Sequence, residues 1–115
     1  MHATSRSWII TEAMSMRSVP YPTPGDILRE EFLKPMGISQ YRLAKEIGIP
    51  ATRVGDIVAG KRSITADTGL RLSAFFGTSE AFWTGLQDDH DRAVTKSTLA
   101  DTLEKITPWS RRHVA

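Results

Sequence analysis

Small polar and charged side chains lie close together between residues 51 and 62, and their types are suited to binding nucleic acid. Thr52, Arg53 and Asp56 carry donors and acceptors that can reach the edges of bases, and no apolar residue larger than alanine shares their predicted helix face. Lys61 and Arg62 follow with positive charges that suit phosphate groups. This arrangement predicts a duplex-binding surface if a helix presents it outward.

The helix that carries these residues also has an apolar side, as this interpretation requires. Val54, Ile57 and Val58 recur at the i, i+3, i+4 spacing of a buried helix face. Another short helix precedes it, capped by Ser39 and ended by Gly48, with Leu43, Ala44 and Ile47 inward. Two short helices with apolar inner faces and a tight turn between them form the helix-turn-helix arrangement, whose second helix enters the major groove.

The remaining pattern is helical throughout, so the predicted fold class is all-α. Thr23-Pro24-Gly25-Asp26 begins a first helix that Pro35 should stop, and Ile27, Leu28, Phe32 and Leu33 should face inward. Thr65 begins a fourth helix, expected to bury Leu70, Leu72, Ala74, Phe75 and Phe76 before Gly77. A fifth should open at Thr78 or Ser79 with Phe82, Trp83 and Leu86 inward, as core or dimer contacts.

The domain organisation follows from these boundaries. Residues 1–22 are predicted to be a flexible N-terminal arm, and residues 23–78 the helix-turn-helix domain. Residues 79–107 should complete the core and mediate dimerisation, as one long helix or as two with the weak point at 95–98, and residues 108–115 form a tail. Met14 and Met16 leave open where translation starts.

The length and composition of the chain limit the classes of protein to which it can belong. A chain of 115 residues can bury one core, and the absence of cysteine indicates a reducing, cytoplasmic setting. No apolar run is long enough to cross a membrane. We expect no enzyme and no cofactor, because the sequence shows no nucleophile with a base, no usefully spaced carboxylate pair and no glycine-rich phosphate loop.

The run Asp88-Asp89-His90-Asp91 is a metal-site candidate that we set aside. Neighbouring residues on a helix point in different directions, and no second group of ligands is near in sequence. The carboxylates are predicted to be solvated, with His90 at the edge of the core. A weaker alternative is that they contact a basic partner protein.

Several stretches together closely resemble the HigA antitoxins, a VapI-like group of the Xre helix-turn-helix family. The resemblance covers residues 22–106. It rests on Pro24-Gly25-Asp26-Ile27-Leu28-Arg29-Glu30-Glu31-Phe32-Leu33, Ser39-Gln40, Leu43-Ala44, Ile47-Gly48, Gly60-Lys61-Arg62, Ile64-Thr65-Ala66-Asp67-Thr68, Phe76-Gly77-Thr78-Ser79, Phe82-Trp83 and Leu86-Gln87.

The resemblance implies a five-helix Xre, lambda-repressor-like domain with an additional C-terminal helical extension. It further implies a homodimer on a near-palindromic operator, repression of its own operon, and neutralisation of a HigB-type toxin that cleaves messenger RNA. By matching positions, Ala51, Thr52, Arg53 and Asp56 would face bases, while Ser39, Gln40, Lys61 and Arg62 would contact phosphates.

Each of these roles has a plainer alternative. Lys61 and Arg62 could merely complement the helix dipole at a solvated helix end, and Gln40 could be an ordinary surface residue. Asp56 could accept from a cytosine amino group, hold Arg53, or weaken non-specific binding. Pro50 stands where relatives often have a capping residue.

Two rival functions also remain open at this point. One is a stand-alone Xre-type repressor without a toxin partner, and the other is a protein-interaction module that has lost DNA binding. The neighbouring reading frame would test the first, and promoter binding at two salt concentrations would test the second.

Overall fold

The computed structural model describes residues 21–112, and every regular element in that range is helical. We number the α-helices in chain order. They are α1 (Pro24–Ile27), α2 (Lys34–Met36), α3 (Gln40–Ile47), α4 (Ala51–Val58), α5 (Ala66–Phe76), α6 (Phe82–Thr98), α7 (Ala100–Glu104) and α8 (Trp109–Arg112). A π-helix, Leu28–Leu33, joins α1 to α2. The predicted flexible arm falls almost wholly outside the described residues.

The first helix begins where its capping signal predicts. The Thr23 hydroxyl accepts from the Asp26 backbone N–H at 3.1 Å, and the Asp26 carboxylate accepts from the Thr23 N–H at 3.0 Å. Each side chain thus satisfies a backbone donor that the start of the helix leaves unpaired. This reciprocal cap confirms the expected start.

Pro35 does not stop this helix, contrary to the prediction. The preceding turn is π-helical, and the Lys34 N–H donates to the Arg29 carbonyl five residues back. This wider turn changes the hydrogen-bond register ahead of the proline, whose ring and missing N–H would break a regular α-helix. The chain turns only at Gly37, whose φ of +66° is readily adopted without a Cβ.

One apolar core connects the helices. Leu28, Phe32, Leu43, Val54, Leu72 and Trp83 are its largest fully buried side chains. The Phe32 ring lies 4.8 Å from the Trp83 ring and 4.9 Å from the Phe76 ring, measured between centroids. These aromatic contacts hold α5 and α6 against the π-helix.

Helix α5 buries a different face from the predicted one. Leu72 is buried and Phe76 packs against the core, but Leu70 is 50% exposed, and Phe75 and Ala74 also face outward. Thr68, Gly69 and Ser73 take the inner positions instead. A Cβ on Gly69 would lie 3.0 Å from Thr84 Cγ2, so the small residues allow α5 and α6 to approach closely.

The C-terminal part consists of two helices with a break at Leu99. Helix α6 starts at Phe82 rather than at Thr78 or Ser79. The Ser79 carbonyl accepts from Ser73 Oγ and, at 3.2 Å, from the Phe82 N–H, which closes a turn ahead of the helix. At its other end, Thr98 Oγ1 donates to the Val94 carbonyl, a contact that bends helices. Helix α8 lies inside the predicted tail.

Candidate nucleic-acid interface

Helices α3 and α4 form a helix-turn-helix. Ser39 Oγ accepts from the Arg42 N–H at 3.0 Å and caps α3. Gly48 ends that helix with φ +73°, a left-handed conformation that would strain a residue with a Cβ. Ile49 and Pro50 then lead into α4, where the Arg53 N–H donates to the Pro50 carbonyl at 3.0 Å.

Helix α4 presents the predicted polar residues away from the core. Val54, Ile57 and Val58 are buried on its inner side. Ala51 and Thr52 are exposed, and Arg53 and Asp56 are half-buried. The side chains expected to face bases therefore share the accessible side of one helix, with no larger apolar residue among them.

Gln40 lies beside this helix. Its side-chain oxygen, Oε1, is 3.7 Å from the position that a Cβ would occupy on Gly55. Gly55 thus leaves room for the exposed Gln40 side chain to lie against α4. Ser39, the expected phosphate contact just before α3, uses its hydroxyl as the helix cap, although the residue itself is exposed.

Lys61 and Arg62 are exposed in the loop that follows α4. The loop turns at Gly60, with φ +78°, and the Lys61 N–H donates back to the Asp56 carbonyl at 2.8 Å. At the far end of the loop, the N–H of buried Ile64 donates to Gln87 Oε1 at 2.9 Å. The two expected phosphate contacts are therefore presented by a loop held at both ends.

Three residues that the sequence analysis did not assign support this surface. Gly25 packs against the backbone of Ile57. Arg71 donates from Nη1 to the Ile47 carbonyl at 2.7 Å, and Gln87 accepts from the Ile64 N–H. Gly25 and Gln87 were noted only as parts of motifs. The Leu86-Gln87 pair was the available signal, but nothing in its spacing identifies Ile64 as the partner.

Phe82, Trp83 and Leu86 lie in or against the core of this chain. Trp83 is fully buried, and Phe82 and Leu86 pack against the core while remaining partly accessible. The Trp83 ring also contacts Phe32 and Phe76. Their contacts within one copy are enough to explain the apolar character of this segment.

The acidic run on α6 makes contacts along its own helix. Arg92 forms ion pairs with Asp88 and Asp89, and Gln87 Nε2 donates to Asp91 Oδ1 at 3.0 Å. Between residues 21 and 112, no three potential metal-ligating side chains converge on one point. Within the same range, no helix combines the length and apolar character needed to cross a bilayer.

Comparison with known proteins places this geometry among helix-turn-helix proteins. Residues 30–83 match a helix-turn-helix family. Virulence-associated protein I of Dichelobacter nodosus is 47% identical over 73 residues, which cover 64% of this chain and 68% of that protein. Antitoxin HigA-1 of Vibrio cholerae is 30% identical over 84 residues, 73% of this chain and 79% of that protein.

A solved structure shows the same fold. The Pseudomonas aeruginosa antitoxin HigA, determined with the higBA promoter, superposes with a TM-score of 0.73 at 37% identity. The match covers 77% of this chain and 98% of that one. The likeness therefore extends beyond the helix-turn-helix and includes helices that follow it.

Proposed function

This chain belongs to the HigA-type antitoxins of the helix-turn-helix family, and from that premise we propose that it represses its own operon and neutralises a toxin encoded beside it. It is a DNA-binding regulator and not an enzyme, like the relatives it matches. The proposed toxin is of the HigB type and cleaves messenger RNA. Both proteins would act in the cytoplasm.

The orientation of α4 is the observation that carries the proposal. Its apolar side is buried, while Thr52, Arg53 and Asp56 are accessible on the other side. A helix in the major groove reads bases with side chains of this kind, and a bidentate arginine–guanine contact contributes about 1–3 kcal/mol of discrimination. We assign base contacts to these residues together with Ala51.

The phosphate contacts are assigned to residues that flank α4. Lys61 and Arg62 follow it in the loop, and Gln40 lies against it from α3, next to Ser39. Contacts with phosphates position a protein on DNA and make its affinity depend on salt, without reading sequence. This division of roles gives each group of residues its own experimental signature.

Promoter binding by variants tests the assignment. Arg53→Ala should weaken binding to the upstream promoter by about 1–3 kcal/mol and relax sequence preference at one position. Lys61→Ala should weaken binding to all duplexes alike and reduce the slope of log affinity against log salt by about one. Unchanged promoter binding by both variants would show that the surface is wrongly assigned.

We further propose that the chain binds DNA as a homodimer through its C-terminal helices. Val94, Leu99, Leu103 and Ile106 are exposed apolar residues on or beside α6 and α7. A second copy is the favoured occupant, because dimers place two recognition helices in successive major grooves about 34–36 Å apart on a near-palindromic site.

Leu103→Asp tests the dimer without removing a core side chain. It should yield a folded monomer in sedimentation equilibrium and lose cooperative operator binding. Footprinting of the wild type should show two half-sites one helical turn apart. A single isolated half-site, or a variant that stays dimeric, would refute this interface.

The toxin is the part of the proposal that rests on family membership alone. Co-expression of this chain with the protein encoded by the adjacent reading frame should relieve the toxicity of that protein and yield a stable complex of the two. If no small toxin gene lies beside this one, the chain is a stand-alone repressor, which would keep the same DNA contacts.

A further inference from the structure

Gln87 links α6 to the loop that carries Lys61 and Arg62. Ile64 is buried, so its backbone N–H needs a hydrogen-bond partner within the protein. Gln87 Oε1 supplies that partner at 2.9 Å, from 23 residues further along the chain. The other end of the loop is held by the Lys61 N–H on the Asp56 carbonyl.

Asp91 fixes the orientation of the Gln87 amide. Gln87 Nε2 donates to Asp91 Oδ1 at 3.0 Å, one helical turn further on. With its NH₂ group committed to a carboxylate, the amide presents its oxygen to Ile64. The opposite orientation would place two donors against each other at Ile64 and two acceptors at Asp91.

Gln87 and Asp91 share one polar cleft with the loop. Residues 61–63 line it on one side, and Gln87, His90 and Asp91 line it from α6, enclosing about 170 Å³. Lys61 and Arg62 are exposed at this cleft and carry the positive charge of the loop. Ile64, two residues after Arg62, is the point at which α6 hydrogen-bonds this loop.

We infer that Gln87 is a positioning residue for DNA binding, which acts through Ile64 to hold Lys61 and Arg62 against the phosphate backbone, with Asp91 orienting it. The inference rests on the proposed function, since it assumes that the loop contacts phosphates. Gln87 itself touches no DNA in this scheme. Its loss leaves both cations in place, on a loop where the N–H of buried Ile64 has lost its hydrogen bond to α6.

Gln87→Leu tests this role by replacing the amide with an uncharged side chain that has no hydrogen-bond acceptor. Promoter affinity should fall roughly 3- to 10-fold, and the slope of log affinity against log salt concentration (the salt slope) should decrease in magnitude by up to about one. Combined with Lys61→Ala, it should weaken binding by less than the product of the two single effects, because both changes remove the same phosphate contact. Reduced thermal stability with unchanged affinity and salt slope would overturn the inference.

Asp91→Ala and Asp88→Ala form a matched pair on the same helix. Each removes one negative charge, but only the Asp91 carboxylate accepts a hydrogen bond from the Gln87 amide. Asp91→Ala should weaken promoter binding and speed hydrogen exchange of the Ile64 amide, whereas Asp88→Ala should do neither. Equal effects of the two variants would show that charge, not orientation of Gln87, is responsible. Comparison of Asp91→Ala with Asp88→Ala also tests the role of Gln87 if Gln87→Leu fails to fold.

The exchanged pair Gln87→Glu with Asp91→Asn provides the rescue. It keeps the net charge, offers a carboxylate oxygen to Ile64, and lets the introduced amide donate back to that carboxylate. The promoter affinity of this double variant should be close to that of the wild type. Gln87→Glu alone should bind the promoter more weakly, because two carboxylates then face each other. Failure of the pair to restore binding contradicts the inference.

If Lys61→Ala and Arg62→Ala leave promoter binding unchanged, the assumed phosphate contact is itself wrong.

Discussion

Gly25 and Ile57 bring the start of the first helix into direct contact with the backbone of the recognition helix. A Cβ built on Gly25 would lie 1.8 Å from the Ile57 carbonyl oxygen. No side chain can occupy that space unless the two helices separate. The depth at which α4 sits against the core, and therefore the height of its exposed face, depends on the absence of one methyl group.

Gly25→Ala should consequently destabilise the protein, by about 1–3 kcal/mol or more for overpacking against the backbone. Gly85→Ala is the matched control, because a Cβ on that helical glycine meets nothing within 4 Å. There, alanine should stabilise the helix by about 0.5–1 kcal/mol. Urea unfolding should show that the two substitutions change the free energy of unfolding in opposite directions. Changes in the same direction would rule out the proposed contact.

The elements around this contact could be predicted from sequence because their signals are local. The caps of Thr23, Ser39 and Thr65 lie within three residues of their partners, and the glycine at position 48 directly ends its helix. Helical spacing likewise identified Val54 and its neighbours as inward-facing. Short-range hydrogen bonds and helical periodicity were therefore sufficient to define the helix-turn-helix.

The supporting contacts could not be predicted because they join residues far apart in sequence. The hydrogen bond from Ile64 to Gln87 spans 23 residues, and that from Arg71 to Ile47 spans 24. The predicted inner face of α5 was wrong for a related reason. Apolar character favoured Leu70 and Phe75 as buried residues, but close packing at Gly69 decides which side of the helix faces α6. That approach is a tertiary property with no local pattern.

Arg71 should prove more important for stability than other surface arginines. Its Nη1 donates to the Ile47 carbonyl at the end of α3, while its Nε pairs with Asp67 at 2.7 Å. Arg71→Ala removes a hydrogen bond from a charged guanidinium to a helix-end carbonyl, which should cost about 1.5–3 kcal/mol. Arg92→Ala, which breaks only exposed ion pairs on α6, should cost under about 1 kcal/mol. Equal losses in denaturant unfolding would show that the Arg71 contact with Ile47 adds nothing beyond an exposed ion pair.

Glu30 should make stability depend on pH in the acid range. Arg29 Nε donates to its carboxylate at 2.9 Å and Lys34 Nζ lies 3.3 Å away, and these contacts lower the pKa of Glu30 below 4.5. A carboxyl whose pKa is lower in the folded state stabilises the protein above its unfolded pKa and loses that contribution as pH falls through the folded pKa.

Unfolding free energy should therefore fall more steeply below about pH 4.5 in the wild type than in Glu30→Gln. Carboxyl carbon titration by NMR measures the pKa directly. In Arg29→Ala it should rise toward 4.5, because the largest cause of the shift is gone. A Glu30 pKa unaffected by Arg29→Ala would contradict this account.

Asp56 should limit binding to non-operator DNA. It is a half-buried carboxylate on the accessible side of α4, next to the residues assigned to base contacts. Close to phosphates, its negative charge opposes every duplex equally, whereas a cytosine amino group at the right position would offset that cost at the operator alone. Asp56→Asn should hence strengthen binding to random-sequence duplexes, on the order of several-fold at low salt.

Operator affinity should change less, so the ratio of specific to non-specific affinity should fall. Asp88→Asn gives the control, since it removes the same charge from α6, where Asp88 pairs with Arg92 instead. If both variants raise non-specific affinity equally, net charge explains the effect and Asp56 has no local role. If only Asp56→Asn does, and competition assays show lower selectivity for the promoter, the carboxylate acts at the groove by excluding the wrong sequences.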